Sequence, residues 1–234
     1  MQIHGMEAEE VKGESLTYLV LRPDDYRSAV SYPALVLFHG FGASMRDLAG
    51  ICPLISRTGY LYVCPNAPYP IDFGDDQVGY SWSLPRSEGS GAGPPIDEEA
   101  LDAFFAELRE RYGIDPGRTV ILGFSQGSGL VLRYGLPRRD APFAGLIALS
   151  GGLRDAEELK ARLPDDRSLP IHIGHGFFDQ VVAVDRSRQT RAFLEEQGYR
   201  PFYKEYRMGH QISMGEQLDD IIAWLREVLP PLES

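Results

Sequence analysis

The pentapeptide Gly123-Phe124-Ser125-Gln126-Gly127 constrains this chain more than any other stretch. It joins an apolar, strand-like run, Thr119-Val120-Ile121-Leu122, to a small-residue helix start, Ser128-Gly129-Leu130-Val131-Leu132. A serine with glycines two positions away on each side fits a sharp strand-to-helix turn that presents the hydroxyl. Such a turn holds the serine in a strained backbone conformation, and side chains at the flanking positions would collide with the adjoining strand and helix. The helix that follows points its positive end at the serine, which helps where negative charge develops. Glycine and serine are common, so the meaning of the pentapeptide depends on its surroundings.

Those surroundings alternate strand and helix. Residues 16–21, 34–38, 60–64, 119–122, 143–149, 170–173 and 202–206 read as strands. The run 34–38 is continuously apolar, as in a strand covered on both faces. Helices are expected over 45–57, from an Asp97 cap to Gly113, over 185–197 closed by Gly198, and after a capping box formed by Ser213 and Glu216. Leu101, Phe104, Phe105 and Leu108 form an inward stripe on the second of these, and Leu218, Ile221, Ile222 and Leu225 on the last. The alternation predicts an α/β fold with a mostly parallel central sheet and helices on both faces. Residues 1–14 read as a polar, mobile tail, with Met6 a second candidate start, and 15–234 as a single domain without a separate lid. The segment 66–96, rich in Gly, Pro, Asp and aromatics, is a long loop expected to wall an active site.

Bulk properties exclude several classes. With 234 residues the chain can bury a substantial core, and 43% hydrophobic against 24% charged residues is ordinary for a globular protein. A net charge of −11 opposes binding to nucleic acid or to anionic membranes. No apolar run reaches the roughly 18 residues of a membrane-spanning helix. The first residues lack the basic-then-apolar pattern of a secretion signal, so a cytoplasmic protein is expected. Cys52 and Cys64 then read as reduced, partly buried thiols, without metal-ligand spacing. A cation at Asp72, Asp75 and Asp76 is less favoured than a solvated acidic loop, and no metal site is expected. Oligomeric state stays open, a homodimer included.

A serine hydroxyl needs a histidine to take its proton, and that histidine needs an acid to fix its tautomer and balance its charge. In hydrolases on sheets of this kind the chain order is nucleophile, acid, base. Here Ser125 is followed by Asp179, after the strand at 170–173, and by His210, after the strand at 202–206. Both fall on loops at strand ends, where open α/β sheets place ligands. His39 precedes the serine and is in the wrong order. His172 lies within a strand, and His175 shares the loop of the proposed acid. Asp185 is a rival acid better read as a helix cap. Donors for an oxyanion are expected from the N–H of Gln126 and from the loop His39-Gly40-Phe41-Gly42, through the N–H of Phe41. The glycine pattern 123, 127, 129 does not match a dinucleotide fingerprint. A non-catalytic binding protein is disfavoured because all three triad candidates are present.

With these residues the chain resembles the phospholipase/carboxylesterase family of α/β-hydrolases, which includes acyl-protein thioesterases. The matching stretches are Leu37-Phe38-His39-Gly40-Phe41-Gly42, Gly123-Phe124-Ser125-Gln126-Gly127, Leu149-Ser150-Gly151, His175-Gly176 with Asp179 and Val181-Val182, and Gly209-His210. The sequence departs from the family at Ala43, Ser128 and Ala183, none of which is among the proposed reacting groups. The resemblance implies a lidless α/β-hydrolase core, no cofactor, and the triad Ser125, Asp179, His210 with donors at Phe41 and Gln126. It further implies hydrolysis of carboxylic esters or thioesters; within that range a small-molecule ester with a small to medium acyl group is the favoured substrate. A lysophospholipase or protein thioesterase acting on longer chains is the alternative. Tyr80-Ser81-Trp82 resembles an aromatic segment that lines the pocket in relatives, so Trp82, together with Phe177, is expected to touch substrate.

Overall fold

The apolar run at 34–38 is a strand buried at every position, and the chain builds outward from runs of this kind. The computed structural model describes residues 1–74, 77–84, 97–139, 142–154 and 156–233. Its residues gather into two compact units, Met1–Asp115 with Leu232–Ser234, and Pro116–Pro231.

The first unit carries β1 (Gln2–Ile3), β2 (Met6–Lys12), β3 (Thr17–Arg22), β4 (Ala34–Phe38) and β5 (Leu61–Pro65), in the order β1-β2-β3-β5-β4. β2, β3 and β5 pair antiparallel, and β4 lies parallel to β5. The expected mobile tail is therefore wrong over most of its length. Met6 and Ala8 are buried while Glu7 and Glu9 stay exposed, the signature of a half-buried strand, and the exposed Glu10 beside the buried Val11 reverses the alternation toward its end. Glu7 and Glu9 share one face, where Arg22 pairs with them at 3.1 and 2.6 Å.

The helix expected over 45–57 shrinks to a 3₁₀ turn at Ala49–Ile51 and the short α1 (Cys52–Ile55). Pro53 explains this. A proline fits a first helical turn, but further inside a helix its ring meets the carbonyl four residues back. The segment 66–96 is not plain loop either. β6 (Tyr69–Asp72) and β7 (Val78–Ser81) form an antiparallel hairpin. The rest of that segment, 85–96, and Asp75 and Asp76 of the acidic cluster lie outside the described residues. α2 (Glu98–Tyr112) matches expectation: Asp97 accepts the Glu99 N–H at 3.1 Å, Leu101, Phe104, Phe105 and Leu108 are buried, and Gly113 ends it with φ of 64°. Phe104 packs edge-on against Tyr18 at 5.4 Å. Cys52 and Cys64 are both free, and both are wholly buried where partial burial was expected.

The second unit is a purely parallel sheet of β8 (Thr119–Phe124), β9 (Gly145–Leu149), β10 (Ile171–Gly176) and β11 (Phe202–Tyr206), in that order. The helices are α3 (Gln126–Gly135), α4 (Ala156–Lys160), α5 (Asp185–Glu196) and α6 (Glu216–Val228). Helices cover both faces, as strand alternation requires. Gly135 of α3 lies against Ile121 and Leu146, whereas Trp224 of α6 lies against Gly145 and His172, whose directions are opposite to Leu146. Ser213 does not form the expected capping box. α6 starts after Gly215, and Ser213 instead donates its N–H to Gln217 Oε1 at 3.0 Å and accepts the Gly215 N–H at 3.3 Å. Asp185 is likewise no cap: it is the first residue of α5 and pairs with Arg188 at 3.0 Å. Among the described residues no helix is long and apolar enough to cross a membrane, and no group of acidic, histidine or cysteine side chains could hold a metal ion.

Candidate active site

Ser125 is the single residue between β8 and α3. Its φ of 53° and ψ of −113° are a conformation that L-residues rarely adopt, at a cost on the order of 1–3 kcal/mol. The flanking glycines make it attainable. A Cβ on Gly123 would run into the Gly127 carbonyl, and one on Gly151 would lie 2.5 Å from the Ser125 carbonyl oxygen. The Ser125 N–H extends the sheet by one bond, donating to Leu149 O at 2.8 Å, and Ser150 repeats the step onto Gly174 O at 2.9 Å. The Ser125 carbonyl accepts twice from Ser128, from its N–H at 3.1 Å and its hydroxyl at 2.7 Å.

Asp179 follows β10 in a loop tied to the loop after β11. Phe177 and Phe178 donate their N–H groups to Tyr206 O and Met208 O at 2.8 and 3.0 Å. Gly176 permits the approach, since a Cβ there would sit 2.5 Å from Met208 O. The Asp179 carboxylate is buried and fully engaged. Oδ1 accepts the N–H groups of Val181 and Val182, each at 2.8 Å, and Oδ2 accepts from His210 Nδ1 at 2.7 Å. Burial alone would push this carboxyl up, but the bonds from His210, Val182 and Val181 outweigh it and hold the group below the usual carboxylate range.

His210 completes the chain. With Nδ1–H committed to a carboxylate that can only accept, Nε2 is left to accept from Ser125 Oγ, 3.0 Å away. The Phe124 ring flanks the imidazole at 4.9 Å. Residues 85 and 31 positions apart in sequence thus form one continuous hydrogen-bonded path from hydroxyl to carboxylate. Such a path can carry a proton off the hydroxyl and keep the resulting imidazolium balanced.

The other candidates fall as follows. Gln126 opens α3. In the first unit, Phe41 follows β4 on a loop and is exposed, and Gly42 turns the chain with φ of 76°. Trp82 is not placed as a substrate contact. It is buried, its Nε1–H donates to His39 O at 2.8 Å, and it packs on Phe38 and His39 at 5.2 Å, so it anchors the hairpin. His39 is a buried structural residue, with Nδ1 bonded to Gly40 O and Nε2 accepting the Ala67 N–H. Burial holds its pKa below the ordinary value. Phe177 is exposed beside Asp179, packed edge-on against Phe178 at 5.2 Å, with Val181 exposed on the same loop.

Two residues that sequence reasoning passed over also touch the site. His175, set aside as a rival base, bonds through Nε2 to Val182 O at 2.9 Å and lies 3.2 Å from Asp179 Oδ2. Its position four residues before the acid was the available signal. Ser128 was noted only as a departure from the family pattern, though a hydroxyl three residues into a helix commonly bonds back to a preceding carbonyl.

Residues 97–229 match the Phospholipase/Carboxylesterase family. The chain is similar to acyl-protein thioesterase 1 of Neurospora crassa, with 36% identity over 91% of this chain and 94% of that one. Acyl-protein thioesterase 1 of Gibberella zeae is 33% identical over 90% of this chain and 97% of its own. Among solved structures, esterase PE8 superposes with a TM-score of 0.71 and 28% identity, covering 96% of this chain and 99% of that one. The fold is that of the α/β-hydrolases, and the chain belongs to the Phospholipase/Carboxylesterase family.

Proposed function

We propose that this chain is a serine ester hydrolase acting on small to medium acyl esters through an acyl-Ser125 intermediate. The observation that carries this reading is the unbroken path Ser125–His210–Asp179, at 3.0 and 2.7 Å. Ser125 Oγ attacks the ester carbonyl while His210 Nε2 takes its proton. The oxyanion is met by the N–H of Gln126 at the start of α3. When the tetrahedral species collapses, the C–O bond to the leaving alcohol breaks and His210 returns the proton to that alcohol. A water then attacks the acyl group, gives its proton to His210, and releases acid and free Ser125 as the proton returns to Oγ. Asp179 stays ionised throughout, consistent with the bonds that keep its carboxyl acidic.

The experiment is a panel of nitrophenyl esters with Ser125→Ala. Hydrolysis and labelling by a fluorophosphonate should both vanish in that variant, and hydrolysis surviving in it overturns the reading.

A second reading is a thioesterase or lysophospholipase for longer chains. It is favoured by the exposed Phe177, Phe178 and Val181 beside Asp179, and by the names of the fungal relatives. Rates on short and long acyl esters and thioesters decide between the two. A cytoplasmic location accompanies either reading, in keeping with two free cysteines.

A further inference from the structure

Resting on the reading of Ser125 as nucleophile, we propose that Ser128 is a positioning residue that aims the Gln126 N–H at the oxyanion. The Ser125 carbonyl and the Gln126 N–H belong to one peptide plane and, in a trans peptide, point in opposite directions. No cis peptide occurs among the described residues. Whatever fixes the Ser125 carbonyl therefore fixes the Gln126 N–H. Ser128 does so with two donors, its backbone N–H at 3.1 Å and its hydroxyl at 2.7 Å.

The backbone N–H alone is a loose hold. It leaves the plane free to tilt about the line joining donor and acceptor, at a residue already forced to φ of 53°. A second donor at a different angle removes that freedom. The hydroxyl is wholly buried, so water does not compete for the carbonyl. The space around it is specific. A Cβ on Gly151 would press on the Ser128 hydroxyl and would lie 2.5 Å from the Ser125 carbonyl oxygen, so the glycine leaves room for this bond.

An oxyanion donor acts only when aimed at the place where charge develops, and losing one outright costs about 10²–10³ in kcat. A donor mis-aimed but still present should lose less. Acylation and deacylation both pass through an oxyanion, so kcat falls whichever limits.

The test compares Ser128→Ala with Ser128→Thr, which keeps the hydroxyl, and with the parent enzyme. The readouts are kcat, KM and inhibition by an aryl boronic acid, whose adduct on Ser125 places an oxygen where the oxyanion forms. Ser128→Ala should lower kcat about tenfold with KM unchanged. It should weaken the boronic acid by the same factor, and Ser128→Thr should recover most of both. If Ser128→Ala does not fold, Ser128→Cys, which fills the space with a weaker donor, carries the same expectation. Parent-like kcat in Ser128→Ala, equal impairment of the threonine variant, or a kcat loss with unchanged boronic acid affinity overturns the proposal. Ser125→Ala separates this from the parent reading. Inactivity there with a fully active Ser128→Ala sinks only the role of Ser128.

Discussion

His175 Nε2 lies 3.2 Å from Asp179 Oδ2, the same oxygen that takes the hydrogen bond from His210. It also holds the carbonyl of Val182 at 2.9 Å, while the Val182 N–H holds Asp179 Oδ1 at 2.8 Å. Both neighbours of Nε2 are acceptors, so this nitrogen carries the hydrogen. His175 therefore closes the loop that grips the acid.

Replacing His175 by phenylalanine should leave the protein folded and lower kcat by about 10- to 100-fold, since the carboxylate loses its fixed position against His210. KM should change little, because no bond to substrate is lost. His175→Gln, which keeps a side-chain N–H, should recover part of the loss. Steady-state kinetics of the two variants check this.

Asp179→Asn should be far more damaging, on the order of 10³–10⁴ in kcat. The amide would keep the valine N–H bonds by its oxygen but turn its NH₂ toward His210 Nδ1. That nitrogen would then have to accept, its hydrogen would move to Nε2, and the hydroxyl of Ser125 would face a donor. Fluorophosphonate labelling should slow in parallel with hydrolysis.

His172 predicts a pH dependence of stability. It is wholly buried between Phe202 at 4.6 Å and Trp224 at 5.7 Å, with neither ring nitrogen hydrogen-bonded. Burial lowers its pKa from 6.5 to about 4, with Asp220 of α6 opposing and Lys204 of β11 adding to the shift. The folded value lies below the unfolded one, so the unfolded chain binds this proton first as pH falls. The contribution is complete above about 6.5 and is lost as pH drops toward 4. The shift corresponds to about 3 kcal/mol. His172→Phe should flatten the fall in urea stability between pH 6.5 and 4.

Gly113→Ala should destabilise the chain by about 1 kcal/mol through backbone strain alone. The site has φ of 64°, and an added Cβ would meet only Ser31, at 3.9 Å. The urea midpoint should fall with an unchanged slope, and the kinetic constants should stay at parent values.

Where a local signal and the tertiary environment agreed, the sequence was readable. The run 34–38 is buried throughout, and α2 begins at its aspartate cap and ends at its glycine. The path Ser125–His210–Asp179 followed from chain order and strand ends. The failures have physical causes. Residues 6–12 carry three glutamates, and the buried Met6, Ala8 and Val11 break strict alternation, so the strand shows only in its pairing with β3. Asp185 and Ser213 had the chemistry of caps, but the chain entered α5 and α6 at geometries that gave them other partners. Trp82 resembled a pocket residue because an aromatic side chain is the same letter whether it lines a surface or anchors a hairpin. His175 was set aside because closeness in sequence to Asp179 seemed to forbid opposition, whereas a tight turn brings its Nε2 within 3.2 Å.

The stepwise bonds from Ser125 N–H to Leu149 O and from Ser150 N–H to Gly174 O make the reacting hydroxyl a passenger on the main chain of three neighbouring strands. Its location is inherited from peptide groups common to every sequence. The side chains at 177, 178 and 181 project from a separate loop and can be exchanged without moving it. On the proposed reading, a scaffold divided in this way can evolve new tastes in acyl group while its chemistry stands still, and exchanging these three exposed side chains is the way to redirect it by design.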